Sequence, residues 1–550
     1  MTNRSSLYSS LAVCLMAAGV AGCSGASTSG SMGATPGGAQ DNGLAQTQVN
    51  QGSVPKPEAF TVEGLLNQYD LPLESQACPL DQALCIDAAY GVAPAMVDNR
   101  SAVFVQIGFS SGIDAATFHR LPLNLSVVVD RSGSMSADSK LISVKQALNH
   151  LIDQLGEADR LSIVLFDDRV DVLAEPAAVT DKAKLKSLVS GISARNSTNM
   201  AAGLRQGSTF VQANAGQPGV SDRVMVFTDA LTNTGDTDQS TFIQIAATNA
   251  AQNIGITLFG VGLDLNQELV LAITGMRGGN YFFLQDAAKI ATVFDTDFDY
   301  LVTPLAYDLD FQLLPAEGFI ITAVYGFPAW RTGSTTVAFN IPSVFLSRNH
   351  GAILVRLDPA NHLWPAGQSP LAQLALSYSP VGGGLPVTQS LVAAYSGTAP
   401  LADDTIFYSQ RAVRKSMALV NTSEGESKAC QLYWSGSGDA ATALLDRVQA
   451  MLTSEAATLE DADLTTEAKN VAKLENNMRS YYSGSTSTSG SSSSSSQNQP
   501  APMACSFAGG SAGNPSALVG LLMLGVPALL RRRLPRRRKA GWLVTGDSAP

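Results

Sequence analysis

Between residues 123 and 302 the chain alternates short apolar runs with longer stretches whose apolar residues recur every three or four positions. The short runs predict strands over 123–129, 161–166, 223–228, 256–262 and 280–284. The longer stretches predict helices over 138–155, 181–190, 201–213, 238–253, 266–275 and 286–301. Ile142, Val144, Ala147, Leu148, Leu151, Ile152 and Leu155 give the first helix an apolar stripe. Strands alternating with helices predict a parallel, doubly wound α/β sheet with helices on both faces. Ligands of such sheets bind beyond the carboxyl ends of the strands.

The pattern changes at 303. Runs at 308–314, 319–325, 335–339, 352–357, 372–378 and 389–395, punctuated by Gly and Pro, predict an antiparallel β-sandwich. One more strand, 102–109, has Val103, Val105 and Ile107 on one face and precedes the α/β unit. It is expected to pair with the later sheet. The chain then reads as multidomain: residues 58–122 with 303–400 form the β-sandwich, and the α/β unit is inserted in it or precedes it. Residues 403–482 predict a small helical bundle, with stripes at Ile406, Val413, Met417 and Val420, at Ala441, Leu444, Leu445, Val448, Met451 and Leu452, and at Val471, Leu474 and Met478.

The flanks lack such patterning. Residues 23–57 are rich in Gly, Ser, Thr, Gln and Asn and read as a flexible tether spanning roughly 30 Å. Residues 483–503, with a run of serines from Ser491 to Ser496, read as a second linker. Arg4 and the apolar stretch Leu11–Val20 make residues 1–22 a secretory signal. Val20-Ala21-Gly22-Cys23 resembles a bacterial lipobox, which implies that Cys23 is diacylated and becomes the first mature residue; an ordinary signal cleaved near Ala21 is the alternative. In the tail, 504–540, Cys505 precedes an apolar run from Pro515 to Leu530 and a basic cluster from Arg531 to Lys539. As a helix the run reaches only about 24 Å, short of a ~30 Å hydrocarbon core. The tail resembles the tripartite sorting signal of myxobacterial surface proteins, which implies processing near Cys505. A plain membrane anchor is the alternative.

Charge and cysteines narrow the function. Without residues 1–22 and the stretch from Cys505 onward, 27 basic residues face 45 acidic ones, so nucleic acid is not an expected partner. Cys78 and Cys85 are expected to pair in an exported protein. Cys430 is then left as a buried thiol or an intermolecular link. The four histidines, His119, His150, His350 and His362, show no zinc spacing, and Ser134 lacks a nucleophile-elbow pattern. No enzyme is expected.

The distinctive chemistry is Asp130-Arg131-Ser132-Gly133-Ser134, directly after the first apolar run. It sets one carboxylate and two hydroxyls together. These are hard oxygen donors suited to Mg²⁺, Mn²⁺ or Ca²⁺ rather than zinc. Thr198, in Asn196-Ser197-Thr198-Asn199, and Asp229, after Val224–Thr228, follow in order. Taken singly these residues also fit helix caps or turns. Together, over residues 122–302, they resemble the von Willebrand factor type A domain and its metal-ion-dependent adhesion site. The resemblance implies a Mg²⁺ ion (or Mn²⁺ or Ca²⁺) touched by Ser132, Ser134 and Thr198, with Asp130 and Asp229 holding coordinating waters. It implies an open coordination position for a Glu or Asp of a protein or matrix partner, and a last helix, here 286–301, that moves in some members. The glycine that the family places after the second aspartate is Ala230 here, and Asn199 stands beside Thr198 to orient it. Bacterial and inter-alpha-trypsin-inhibitor-like relatives pair the domain with a β-sandwich. The expected function is metal-dependent binding or adhesion at the outer membrane or cell surface, by a membrane-anchored protein. An envelope assembly or scaffolding factor for a secretion or export complex is the alternative.

Overall fold

The computed structural model describes residues 32–485, apart from 40–41, 75–77, 81, 97–99, 196, 230–232, 263–266, 327–335, 365–369, 382 and 398. Cys23, the signal 1–22, the linker beyond Ser485, Cys505 and the tail 504–540 lie outside the described residues.

The described chain opens with strands β1 (Met32–Pro36) and β2 (Gly38–Ala39) and helices α1 (Gly43–Asn50) and α2 (Val62–Gln68). Strands β3 (Cys85–Pro94) and β4 (Ser101–Ser111) follow as an antiparallel pair. Next come β5 (Leu123–Asp130), α3 (Lys140–Gln154), β6 (Arg160–Phe166), β7 (Val170–Ala178), α4 (Lys182–Ser190) and α5 (Met200–Gln212). The α/β unit continues with β8 (Ser221–Thr228), α6 (Gln239–Ala251), β9 (Gly255–Gly260), α7 (Gln267–Thr274) and β10 (Asn280–Phe283). It closes with α8 (Ala287–Ala291), a π-helical turn (Thr292–Thr296) and α9 (Phe298–Leu301). Strands β11 (Pro304–Pro315), β12 (Phe319–Tyr325), β13 (Val337–Ser347), β14 (Ala352–Pro359), β15 (Pro370–Pro380), β16 (Val387–Ala394) and β17 (Phe407–Tyr408) come after it. Helices α10 (Arg411–Trp434), α11 (Gly438–Leu459) and α12 (Ala462–Ser485) end the described chain.

The α/β sheet has the order β2-β10-β9-β8-β5-β6-β7. Strand β5 is buried along its whole length, as a central strand covered on both faces must be. The sheet is mixed rather than all parallel, because β7 runs antiparallel to β6 at one edge. Its residues are half-buried or exposed and include Pro176, so no clean apolar run marks it. The helix predicted over 286–301 is broken by the π-helical turn, whose Phe294 packs on Phe259 with ring centroids 5.0 Å apart. Ile142, assigned above to the buried stripe of the first helix, is 58% exposed.

The second sheet divides at β4. One edge of β4 pairs with β3, and the other is shared by β14 and β1. From β14 the sheet continues to β12, and from β1 to β13, β11, β15 and β16. The strands curl around one apolar core that includes Val103, Val105, Leu309, Phe311, Val355 and Leu374. Tyr378 of β15 donates to the Leu84 carbonyl ahead of β3, and Tyr90 of β3 meets Tyr395 edge-on, so the two arms face each other.

Residues 32–57 are not a tether. Strand β1 fills the gap between β4 and β13, β2 extends the α/β sheet beside β10, and α1 packs on α12. Asn477 donates to the carbonyls of Val49 and Ser53, and Trp434 to that of Pro55. The segment has few apolar residues, but Met32, Ala34, Leu44, Ala45, Val49 and Val54 are all buried. The bundle begins at Arg411 rather than 403. Ile406 is 68% exposed and belongs to no helix, and β17 adds to β3 just after it. Cys78 and Cys85 form a disulfide, and Cys430 is a buried free thiol. Among the described residues no helix is long and apolar enough to cross a membrane.

Candidate metal centre

Strands β5 and β8 are parallel neighbours and end side by side, so their terminal residues meet at one edge of the sheet. Asp130 is fully buried there. Its Oδ1 accepts the Ser132 backbone N–H at 2.9 Å and its Oδ2 accepts the Thr228 hydroxyl at 2.7 Å. These bonds fix the turn so that the Ser132 and Ser134 hydroxyls lie 3.0 Å apart. Asp229, also fully buried, is met at Oδ2 by the Lys140 ammonium at 3.0 Å.

Thr198 is buried and reaches this edge through its loop. The Arg195 N–H donates to the Arg131 carbonyl at 2.8 Å, and the Asn199 N–H to the Asp167 carbonyl at 2.7 Å. The segment therefore lies along the ends of β5 and β6. Asn233 orients Thr198: its Oδ1 accepts the Thr198 N–H at 2.8 Å, and its own N–H donates to the Thr198 carbonyl. Asn199, assigned that role above, caps α5 by accepting the Ala202 N–H instead. Beneath the two loops, buried Asp167 accepts from Arg131 at 2.8 Å and Arg195 at 2.6 Å.

Burial pushes the Asp130 carboxyl up to about 6, against the opposing hydrogen bonds from Thr228 and Ser132, and the Asp229 charge adds to the rise. Burial acts on Asp167 in the same sense. There the hydrogen bonds from Arg195 and the Arg169 N–H, with the Arg131 charge, prevail and hold the carboxyl at about 2. The burial of Asp130 is thus only partly offset by its hydrogen bonds, while that of Asp167 is more than offset by its arginines.

The donors at this edge are hydroxyl and carboxylate oxygens, matched to Mg²⁺, Mn²⁺ or Ca²⁺. Among the described residues, no three His, Cys, Asp or Glu side chains converge as metal ligands, at this edge or elsewhere, so the donor set here depends on hydroxyls beside two carboxylates. Ala230 lies outside the described residues. Sequence reasoning missed Lys140, Asn233, Thr228 and the arginine–Asp167 network. Lys140 left one signal, a charged residue at the start of an apolar stripe.

Residues 124–296 match the family model of the von Willebrand factor type A domain. This part of the chain is such a domain. An uncharacterized protein of Escherichia coli, YfbK, is 25% identical over 271 residues, which is 48% of this chain and 46% of the relative. An uncharacterized Synechocystis protein, sll0103, is 29% identical over 175 residues, covering 32% of this chain and 40% of the relative. The matched stretch thus spans less than half of each relative. A solved structure, von Willebrand factor type A from Catenulispora acidiphila, aligns with a TM-score of 0.46 at 14% identity, over 74% of this chain and 98% of that one.

Proposed function

We propose that the chain is an exported binding protein whose A domain captures a carboxylate of a protein or matrix partner through a divalent ion, Mg²⁺ in the first instance, with Mn²⁺ or Ca²⁺ as substitutes. One observation carries the reading: the 3.0 Å pair of Ser132 and Ser134 hydroxyls stands at a sheet edge bearing two fully buried carboxylates, Asp130 and Asp229. The bound ion supplies a positive point charge with a position open to an outside ligand. Ser132, Ser134 and Thr198 would contribute uncharged oxygens and so leave that charge largely unspent. Asp130 and Asp229 would hold waters around it. Bonds from Thr228, the Ser132 N–H and Lys140 restrain those carboxylates from turning.

Export follows from the lipobox at Cys23 and the tail from Cys505, and it gives a binding domain access to partners outside the cell. In this reading the protein is membrane-anchored, at the outer membrane or cell surface, and is not an enzyme. Calorimetric titration of Mg²⁺ and Mn²⁺ into the whole chain tests the centre, beside Asp130→Ala and Ser134→Ala. A single saturable site lost in both variants is expected. Equal weak uptake in all three would mean that the acidic surface holds the ions, and the reading would fall to the assembly-factor alternative.

A further inference from the structure

The helical bundle buries two carboxylates that the candidate metal centre does not use. Glu426, within α10, is 5% exposed, and Glu467, on α12, is 2% exposed. Both line one cavity of about 20 Å³, together with Val49, Leu65 and the amide side chains of Gln46 and Asn470. That volume admits one water, or one ion without its hydration shell.

The two carboxylates differ in their partners. Tyr69 donates its hydroxyl to Glu467 Oε1, and Asn470 Nδ2 adds a longer bond to the same oxygen at 3.4 Å. Among the described residues nothing donates to Glu426, and no cation pairs with either glutamate. The nearby lysines are engaged elsewhere: Lys415 with Asp461 and Asp463 at 3.0 and 2.6 Å, and Lys473 with Asn50 at 2.9 Å. A buried carboxylate with neither donor nor counter-charge is strongly unfavourable. Two of them on one cavity call for protons on the carboxyls or for a cation between them.

The amides favour the cation. Gln46 spends its NH₂ on Gln68 at 3.0 Å and Asn470 spends its own on Glu467. Neither amide oxygen accepts a bond from a described residue. Oxygens therefore outnumber donors around this cavity. A single water offers two hydrogens, whereas a cation is shared by every oxygen that reaches it. Ca²⁺ takes about six to eight oxygens in a flexible shell, while Mg²⁺ gives up its waters reluctantly. A space this small has no room for those waters, and two carboxylates match the charge of a bare divalent ion.

We infer that Glu426 and Glu467, with the side-chain oxygens of Gln46 and Asn470, bind a Ca²⁺ ion that fastens α1 to the bundle. Gln46 stands on α1, Glu426 on α10, and Glu467 and Asn470 on α12, so the ion joins three helices. Helix α1 belongs to the segment that also supplies β1 to one sheet and β2 to the other. The ion therefore secures the stretch of chain that runs through both sheets. This site is independent of the metal-centre reading.

The test titrates Ca²⁺ and Mg²⁺ into the whole chain, into Asp130→Ala, and into Asp130→Ala carrying Glu426→Gln or Glu467→Gln. Calorimetry reads uptake, and hydrogen exchange of residues 43–50 reads the hold on α1. Asp130→Ala is expected to take up Ca²⁺, with exchange at 43–50 slowed as in the parent. Each glutamine removes one charged ligand and is expected to weaken that uptake about tenfold or more and to abolish the slowing. Without ion, Glu426→Gln is expected to melt at or above its background chain, so its lost uptake is not misfolding; Glu467→Gln gives the same comparison at the facing helix. Mg²⁺ is expected to leave exchange at 43–50 unchanged. Exchange there that ignores Ca²⁺ in both the parent and Asp130→Ala, or that slows equally in the glutamine variants or with Mg²⁺, overturns the inference. Mg²⁺ uptake unaffected by Asp130→Ala overturns the metal centre instead, and Ca²⁺ protection of 43–50 in that same chain upholds the bundle site.

Discussion

Replacing Asp167 by alanine is expected to loosen the candidate centre without touching any of its proposed ligands. The Asp167 side chain is fully buried and accepts three charge-assisted or backbone bonds: from Arg131 Nε at 2.8 Å, Arg195 Nε at 2.6 Å and the Arg169 N–H at 3.1 Å. Arg131 belongs to the turn that carries Ser132 and Ser134, and Arg195 starts the loop that carries Thr198. The carboxylate therefore joins the two hydroxyl-bearing segments. Removing one partner of a buried ion pair costs about 3–5 kcal/mol when the other charge stays buried. The Arg131 side chain is 10% exposed, however, and that of Arg195 33%, so both guanidiniums can turn partly to water. That lowers the expected loss to about 2–3 kcal/mol.

A neighbouring carboxylate provides the control. Asp171 also accepts from Arg131 and Arg195, but its side chain is 42% exposed, so Asp171→Ala is expected to cost about 0–1 kcal/mol. No tryptophan lies between residues 123 and 302, so intrinsic emission reports other parts of the chain. Hydrogen exchange read by mass spectrometry on peptides covering β6 and residues 192–200 measures the opening directly. Asp167→Ala should expose these peptides and weaken Mg²⁺ binding, since the Thr198 loop keeps its backbone bonds but loses its anchor. A change below about 0.5 kcal/mol, within the range of an ordinary surface substitution, would refute the argument. So would equal effects at Asp167 and Asp171.

Four further outcomes are expected. Gly207→Ala places a Cβ 2.4 Å from Val128 Cγ2 and should cost about 1–3 kcal/mol by overpacking, read from exchange of α5 and β5. Deleting residues 24–42 removes β1 from between β4 and β13; protection of β13 should fall, whereas a true tether would leave it unchanged. Burial and the nearby Glu467 charge push the Glu426 carboxyl well up, so the folded chain holds that proton at pH values where the unfolded chain has lost it. Glu426's contribution to stability therefore falls as pH rises, and Glu426→Gln should melt above the parent at pH 8, with the gap closing toward pH 4.5. Asp130, raised from 3.8 to about 6, makes the ion-free domain less stable as pH rises through that window, while Mg²⁺ affinity, which needs the ionised form, should fall as pH drops through about 6.

The central strands and the order of the site residues were legible because buried parallel strands are written as largely apolar runs. Leu123–Val129 and Val224–Phe227 need no context to be recognised, and the polar residues that end them stand at strand ends by necessity. Strand β7 escaped because an edge strand that is half exposed carries no such run. Residues 32–57 escaped for a different reason. Composition counts how many apolar residues a segment has, and burial depends on whether each meets a prepared gap. Ala34 and Ala45 are completely buried because β4, β13 and the bundle already form the walls around them. Of Lys140 only a charged residue at the start of an apolar stripe was legible; its bond to Asp229 was not, since that partner lies 89 residues away.

The placement of the A domain bears on how it could respond to a ligand. A domain inserted in a sheet by two linkers could swing, but here its entry and exit are fastened together. Arg120, before β5, bonds Asp159 ahead of β6 and Asp299 within α9. The Leu346 N–H of β13 donates to Thr303 directly after α9. At the far edge, β2 pairs with β10, while its neighbour Gly37 donates to Ser343 of β13 at 2.8 Å. Arg223, fully buried at the start of β8, bonds the Gly278 carbonyl and lies over the Phe345 ring of β13. Both ends of the last helical segment are therefore held, α9 by the Arg120–Asp299 ion pair and β10 by its pairing with β2. Any displacement of α8 would have to be absorbed between them, at the π-helical turn 292–296, where the hydrogen-bond register already departs from the α-helix. In this chain that turn, rather than the domain linkers, is the place at which a change at the carboxyl ends of the strands could be converted into movement.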